Sequence, residues 1–148
     1  MTENKKQKVL FLCTHNSARS QMAEGLMNAV LGDKYEASSA GTEPTSVNEY
    51  AIRAMDEIGI DISLHTTKGV DAFIAQRFGY VVTVCDNANE ACPYFPNAEK
   101  RIHQGFLDPT DANGDEEERL AVFRKVRDEI KDWILKTFNP SVSNTNKP

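Results

Sequence analysis

The sequence lacks the features of a membrane-spanning, nucleic-acid-binding or disulfide-stapled secreted protein. No hydrophobic run approaches the roughly 20 residues that cross a bilayer, and the polar start shows no signal-peptide pattern. Lys and Arg number 17 against 22 Asp and Glu, a net charge of −5, so we expect no basic face for nucleic acid. The three cysteines are an odd number without framework spacing. We therefore expect a reducing compartment, the cytoplasm, where each cysteine is a candidate for chemistry.

The 148 residues, 40% of them hydrophobic, suit one domain with one sizeable core. Apolar runs predict strands at 8–13 and 79–85, YEASSAG predicts a short strand at 35–41 that ends in a turn, and a weak edge strand is expected at 99–104. Helical spacing predicts helices at 17–32, 47–60 and 115–138, with a short one at 71–78. This alternation indicates an α/β fold, a parallel sheet with helices on both faces. We expect the domain to span residues 1–138 as a monomer, followed by a polar, flexible tail at 139–148.

The stretch CTHNSARS places a cysteine at the end of the first strand and an arginine six positions later. A strand, a tight loop and a helix start form an anion site, because loop N–H groups and the helix dipole face the same ligand. The guanidinium of Arg19 suits a tetrahedral oxyanion. Cys13 is then a candidate nucleophile and Ser20 a hydrogen-bond donor to its thiolate. The oxyanion-binding candidates are Thr14, His15, Asn16, Ser17, Ala18, Arg19 and Ser20.

Taken alone, the spacing also fits a buried strand-end cysteine and a surface arginine. The sequence LDPT adds Asp108, a loop carboxylate beside a rigid proline, which could protonate a leaving oxygen. Alone, Asp-Pro is only a turn signal. Cys85 closes a predicted strand, as Cys13 does, so the two can meet at the carboxyl edge of the sheet. Cys92 follows in the same polar segment, and six intervening residues do not match usual zinc-ligand spacing.

These residues together resemble a known family. VLFLCTHNSARSQMAEG is similar to the signature loop of the low-molecular-weight tyrosine phosphatase fold, and within that fold the chain resembles the thioredoxin-coupled arsenate reductases. The later matching segments are SSAGTEP, EIGIDIS, VVTVCDNANEACPYFP and HQGFLDPTDANGDEEERLAVFRKVRDEI. The resemblance implies a four-stranded parallel sheet. It implies Cys13 as nucleophile, Arg19 as oxyanion clamp, Asp108 as acid, and Cys85 and Cys92 as a redox relay that thioredoxin resets.

Two positions depart from the family pattern. Leu107 stands where a second acidic residue often precedes the proline. Some members also bind potassium, and Asn16, Glu24 and Ser39 stand at matching positions. Lys68, however, occupies the place of a carboxylate that would help to hold the ion. Because its ammonium group can replace the ion, a site with no bound cofactor is expected, and potassium is the alternative.

The first function to consider is arsenate reduction, in which a second thiol supplies the electrons. The alternative is a low-molecular-weight protein tyrosine phosphatase, which needs only water for its second step. Such phosphatases carry aromatic residues after the Asp-Pro pair, and LDPTDANGDEEE has none there. A third reading is an oxyanion-binding redox sensor without turnover. For the reductase we also expect the segment 86–91 to be a short helix that opens when Cys85 and Cys92 are oxidised, because the helix would hold them about 10 Å apart.

Overall fold

The strongest apolar runs form the centre of a parallel sheet. The computed structural model describes residues 6–86 and 94–139. Its strands are β1 (Gln7–Cys13), β2 (Tyr35–Gly41), β3 (Phe78–Thr83) and β4 (Ala98–His103). They pair in the order β2-β1-β3-β4, all parallel, so β1 is central and β4 is an edge strand. The predicted four-stranded parallel sheet is confirmed.

Within the described residues, three α-helices follow the predicted pattern with changed ends: α1 (Arg19–Val30), α2 (Glu49–Asp56) and α3 (Glu116–Phe138). Helix α2 is shorter than predicted because Gly59 adopts φ +81°, and Ile60 N–H then closes on Met55 O at 3.0 Å. This left-handed glycine is a common end for a helix. Asp115 forms a capping box with Glu118, in which each side chain accepts a hydrogen bond from the other residue's backbone N–H. Asp115 is therefore the N-cap, and α3 begins one residue later than predicted, at Glu116.

The two faces of the sheet carry separate apolar clusters. Alternate residues of β1 divide between them, with Val9 and Phe11 on one face and Leu10 and Leu12 on the other. The larger cluster includes buried residues of all three α-helices. The smaller is covered by Phe95 and by a 3₁₀ helix at Val70–Phe73, which replaces the predicted helix at 71–78. Helical segments thus lie on both faces.

Strand β3 ends at Thr83, two residues before the predicted end at Cys85. Its neighbour β1 pairs with it in the register Leu12 with Thr83, and Val84 N–H donates to Leu12 O at 2.9 Å. The carboxyl ends of both strands therefore lie side by side. Cys92, most of the segment 86–91 and all but the first residue of the predicted tail lie outside the described residues. Within the described ranges, no helix is both long and apolar enough to span a membrane.

Candidate active site

The loop between β1 and α1 is held from behind by its own carbonyl groups. Three loop carbonyls accept backbone hydrogen bonds from the segment 43–48: Thr14 O from Glu43 (2.8 Å), His15 O from Thr45 (3.1 Å) and Ser17 O from Asn48 (3.0 Å). A trans peptide points its N–H opposite to its C=O, so the N–H groups of the following residues face away from that segment. Among the described residues, the N–H groups of 15–18 meet no backbone acceptor. They are available to an anion at the α1 N-terminus.

Cys13 lies at the base of this loop, 2% exposed, with Sγ 2.9 Å from Ser20 Oγ. Asn16 Nδ2 donates to the same Ser20 oxygen at 2.8 Å. Because that oxygen already accepts from Asn16, the hydroxyl hydrogen of Ser20 can be donated to sulfur. Asn16 has φ +53°, the left-handed conformation that asparagine tolerates.

Asn16 is fixed by a buried polar network. Its Nδ2 also donates to Ser39 Oγ at 2.9 Å, and its Oδ1 accepts from Gln21 Nε2 (3.0 Å) and from Lys68 N (2.9 Å). Gln21 Oε1 lies 3.0 Å from His65 Nδ1. Gln21 and His65 were not candidates from the sequence, since no motif marks a residue that supports the loop from below.

Gly41, the last residue of β2, permits the loop to approach the sheet. It pairs in register with Cys13. A Cβ atom there would stand 2.5 Å from Thr14 O and 2.9 Å from both Cys13 O and Asn16 N. These are backbone atoms of the loop itself, so no side chain can turn aside to make room.

Arg19 and Asp108 meet across the mouth of the loop. The Arg19 side chain is 3% exposed; its Nη2 lies 3.3 Å from Asp108 Oδ2, and its Nη1 donates to Phe106 O. Asp108 Oδ1 accepts from both the backbone N–H and the hydroxyl of Thr110, at 3.0 and 2.7 Å. The structure therefore brings together two of the predicted residues that lie 89 positions apart.

A cavity of about 500 Å³ opens above these groups. Its lining consists of Cys13, His15, Ser17, Ala18, Arg19, Thr45, Ser46, Val47, Asn48, Glu49, Asp108 and Thr110. None of these described residues is Phe, Tyr or Trp. The wall 45–49 was missed from the sequence, because it is held by backbone hydrogen bonds that leave no side-chain signature.

The thiols differ in state. Cys13 is a free thiol, whereas Cys85 is fully buried and disulfide-bonded. Cys92, the third predicted site residue of the relay, lies outside the described residues. Cys85 stands just beyond β3, beside the end of β1 that carries Cys13.

The region of the potassium alternative is occupied by protein groups. Ser39 Oγ donates to Glu24 Oε1 at 2.6 Å, and the Lys68 ammonium lies 4.0 Å from the same oxygen while donating to Thr66 O at 2.7 Å. With Asn16 Oδ1 already accepting two hydrogen bonds, these residues do not fit a cation in addition to Lys68. Among the described residues, no group of three or more His, Cys, Asp or Glu side chains is placed for a metal ion.

The parallel sheet and the strand–loop–helix anion site define a phosphatase-like α/β protein. Residues 8–145 match the family described as low molecular weight phosphotyrosine protein phosphatase. The chain belongs to this family.

Its similar relatives include arsenate reductases. That of Halalkalibacterium halodurans is 50% identical over 133 residues, covering 90% of this chain and 95% of that protein. The arsenate reductase of Bacillus subtilis strain 168 is 49% identical over 122 residues, covering 82% of this chain and 88% of that protein. A solved arsenate reductase in the phosphate binding state has a TM-score of 0.74 at 34% identity, covering 86% of this chain and 93% of that one. A solved low molecular weight protein tyrosine phosphatase from T. tengcongensis has a TM-score of 0.73 at 27% identity, covering 91% of this chain and 99% of that one.

Proposed function

We propose that the chain is a cytoplasmic arsenate reductase that works through Cys13, Cys85 and Cys92 and is reset by thioredoxin. The observation that carries the proposal is a second, oxidised cysteine, Cys85, just beyond β3 and beside the end of β1 that carries the phosphatase-like loop. A phosphatase needs one thiol and water. A reductase needs two electrons, which a second thiol can supply.

In the first step the Cys13 thiolate attacks arsenic, and an As–O bond breaks. Asp108 protonates the leaving oxygen, while Arg19 and the loop N–H groups hold the remaining oxygens. The arriving oxyanion competes with Asp108 for the Arg19 guanidinium, and the released carboxylate takes up from solvent the proton that it donates to the leaving oxygen. Thr110 keeps Asp108 positioned through Oδ1.

In the second step Cys85 attacks Cys13 Sγ. The S–As bond breaks and its electron pair goes to arsenic, so As(V) becomes As(III), arsenite leaves, and a Cys13–Cys85 disulfide remains. Cys92 then attacks Cys85 and frees Cys13. A dithiol of the thioredoxin type reduces the resulting disulfide. A free Cys13 beside an oxidised Cys85 supports this order of steps.

The proposal is tested by NADPH consumption with arsenate, thioredoxin and thioredoxin reductase. Cys13→Ser should abolish arsenate turnover, because a serine hydroxyl is not ionised near neutral pH. Cys92→Ser should stop after one turnover with Cys13 and Cys85 joined, which disulfide mapping would detect.

Cys85→Ser separates the two candidate functions, because it leaves Cys13 in place. It should lose arsenate turnover and keep any hydrolysis of p-nitrophenyl phosphate. Arsenate reduction by Cys13→Ser, or multiple turnover by Cys92→Ser, would refute the relay. Wild-type hydrolysis of the aryl phosphate without arsenate reduction would favour the phosphatase alternative. Arsenate-dependent disulfide formation without multiple turnover would favour the redox sensor.

A further inference from the structure

His15 brings an imidazole ring to the oxyanion loop. It lines the cavity with Cys13 and Arg19, and its Nδ1 lies 3.0 Å from the backbone carbonyl oxygen of Glu43. A carbonyl oxygen can only accept, so Nδ1 must carry the hydrogen. The contact with Glu43 therefore fixes the tautomer of the neutral ring.

In that tautomer Nε2 carries a lone pair and no hydrogen. Within the described residues, no hydrogen bond reaches Nε2. The other groups that hold an oxyanion here, the loop N–H groups and Arg19, are donors. Two carboxylates among the described residues line the cavity: Asp108, which already engages Arg19 and Thr110, and Glu49, an exposed residue in the first turn of α2. His15 Nε2 is thus an open acceptor in a site built mainly of donors.

We propose that His15 is a specificity-determining residue whose Nε2 accepts a hydrogen bond from the hydroxyl of a protonated inorganic oxyanion. The inference rests on the proposed arsenate reduction at this site and names the feature of the substrate that is selected. Inorganic arsenate and phosphate carry at least one O–H near neutral pH. The dianion of an aryl phosphate carries none, because its fourth oxygen bears carbon. The acceptor therefore favours the free oxyanion over the ester.

Two variants separate hydrogen bonding from shape. His15→Phe keeps a ring and loses both nitrogens, whereas His15→Gln keeps one donor for Glu43 and one acceptor for the substrate. The measured quantity is the ratio of kcat/KM for arsenate to kcat/KM for p-nitrophenyl phosphate. The ratio should fall about three- to tenfold in His15→Phe, the effect of one neutral hydrogen bond, and should stay near the wild-type value in His15→Gln.

An unchanged ratio in His15→Phe would overturn the inference, since His15 would then only tie the loop to Glu43. A loss in His15→Gln as large as in His15→Phe would overturn it too. Inhibition of p-nitrophenyl phosphate hydrolysis by inorganic phosphate provides a readout that does not need arsenate turnover. Its inhibition constant, relative to that of phenyl phosphate, should rise by the same factor in His15→Phe. A wild-type protein that fails to reduce arsenate would refute the proposed function, while the phosphate measurement would still decide the role of His15.

Discussion

Replacing Gly41 by alanine tests whether the approach of the loop to β2 sets activity. The added methyl group would stand 2.5 Å from Thr14 O and 2.9 Å from Asn16 N, distances that Cβ atoms essentially never show. Strand β2 cannot retreat freely, because Gly41 N–H also donates to Lys68 O at 2.9 Å on its other side. The loop must therefore move by several tenths of an ångström to about 1 Å.

The expected cost has two parts. Overpacking of this kind lowers the free energy of unfolding by about 1–3 kcal/mol. A displacement near 1 Å in a site that depends on orientation can cost on the order of 10² in rate, so kcat/KM for arsenate should fall about 10- to 100-fold. Gly41 has no positive φ, so the effect comes from contact and not from backbone strain.

The chain supplies a matched control in Gly79→Ala. Gly79 lies in β3, and a Cβ there would meet its nearest neighbour, Lys8 O, at 3.5 Å, an ordinary contact. Denaturant unfolding and single-turnover arsenate reduction should both be close to wild type in this control. A Gly41→Ala protein with kcat/KM within twofold of wild type would show that the loop tolerates displacement and would refute the reasoning.

Three further substitutions probe the acid, the cation beside the loop and the link between α2 and α3. Asp108→Asn should slow single-turnover formation of the arsenic adduct by roughly 10²–10⁴-fold while the protein still folds, and an unchanged rate would mean that another group supplies the proton. Lys68→Asp should make the protein more stable in KCl than in equal NaCl, with Tm higher by about 2–4 °C for each kcal/mol of binding; equal Tm values would show that no potassium site forms when Lys68 is removed. The hydrogen bond from Arg124 lowers the pKa of Glu57 from its ordinary value of 4.5, so its stabilising effect is present above that pH and is lost as the pH falls further. Unfolding free energy should therefore decline less steeply below pH 4.5 in Glu57→Gln than in wild type, and parallel curves would contradict this.

The sequence predicted best those elements whose pattern is local. The apolar run before Cys13 suits a strand buried on both faces, and the structure has β1 at the centre of the sheet. The long stripe from Leu120 to Ile134 likewise predicted α3, and both of these residues are buried. In these segments secondary-structure propensity, hydrophobic periodicity and burial agree, so tertiary contacts do not alter the predicted secondary structure.

The boundaries and the walls of the site depended on contacts distant in sequence. Helix α2 ends before Gly59, which lay inside the predicted range 47–60, because the positive φ of this glycine is not visible in the sequence. The wall 45–49 takes its place from backbone hydrogen bonds to the loop, and backbone groups are identical in every sequence. The register of β1 against β3 places Cys13 and Cys85 at one edge of the sheet, and this depends on pairing between segments about 70 residues apart.

The division between phosphatase and reductase follows from which part of the chain carries each step. The anion site is built from β1, the loop, α1 and the end of β2, all within residues 7–41, and it requires only one thiol. The electrons for reduction would come from beyond β3, where Cys85 lies beside the end of β1. A solved phosphatase and a solved arsenate reductase have nearly equal TM-scores to this chain, 0.73 and 0.74. The fold therefore accounts for binding of an oxyanion, and we expect the choice of water or a thiol for the second step to depend on the segment that follows β3.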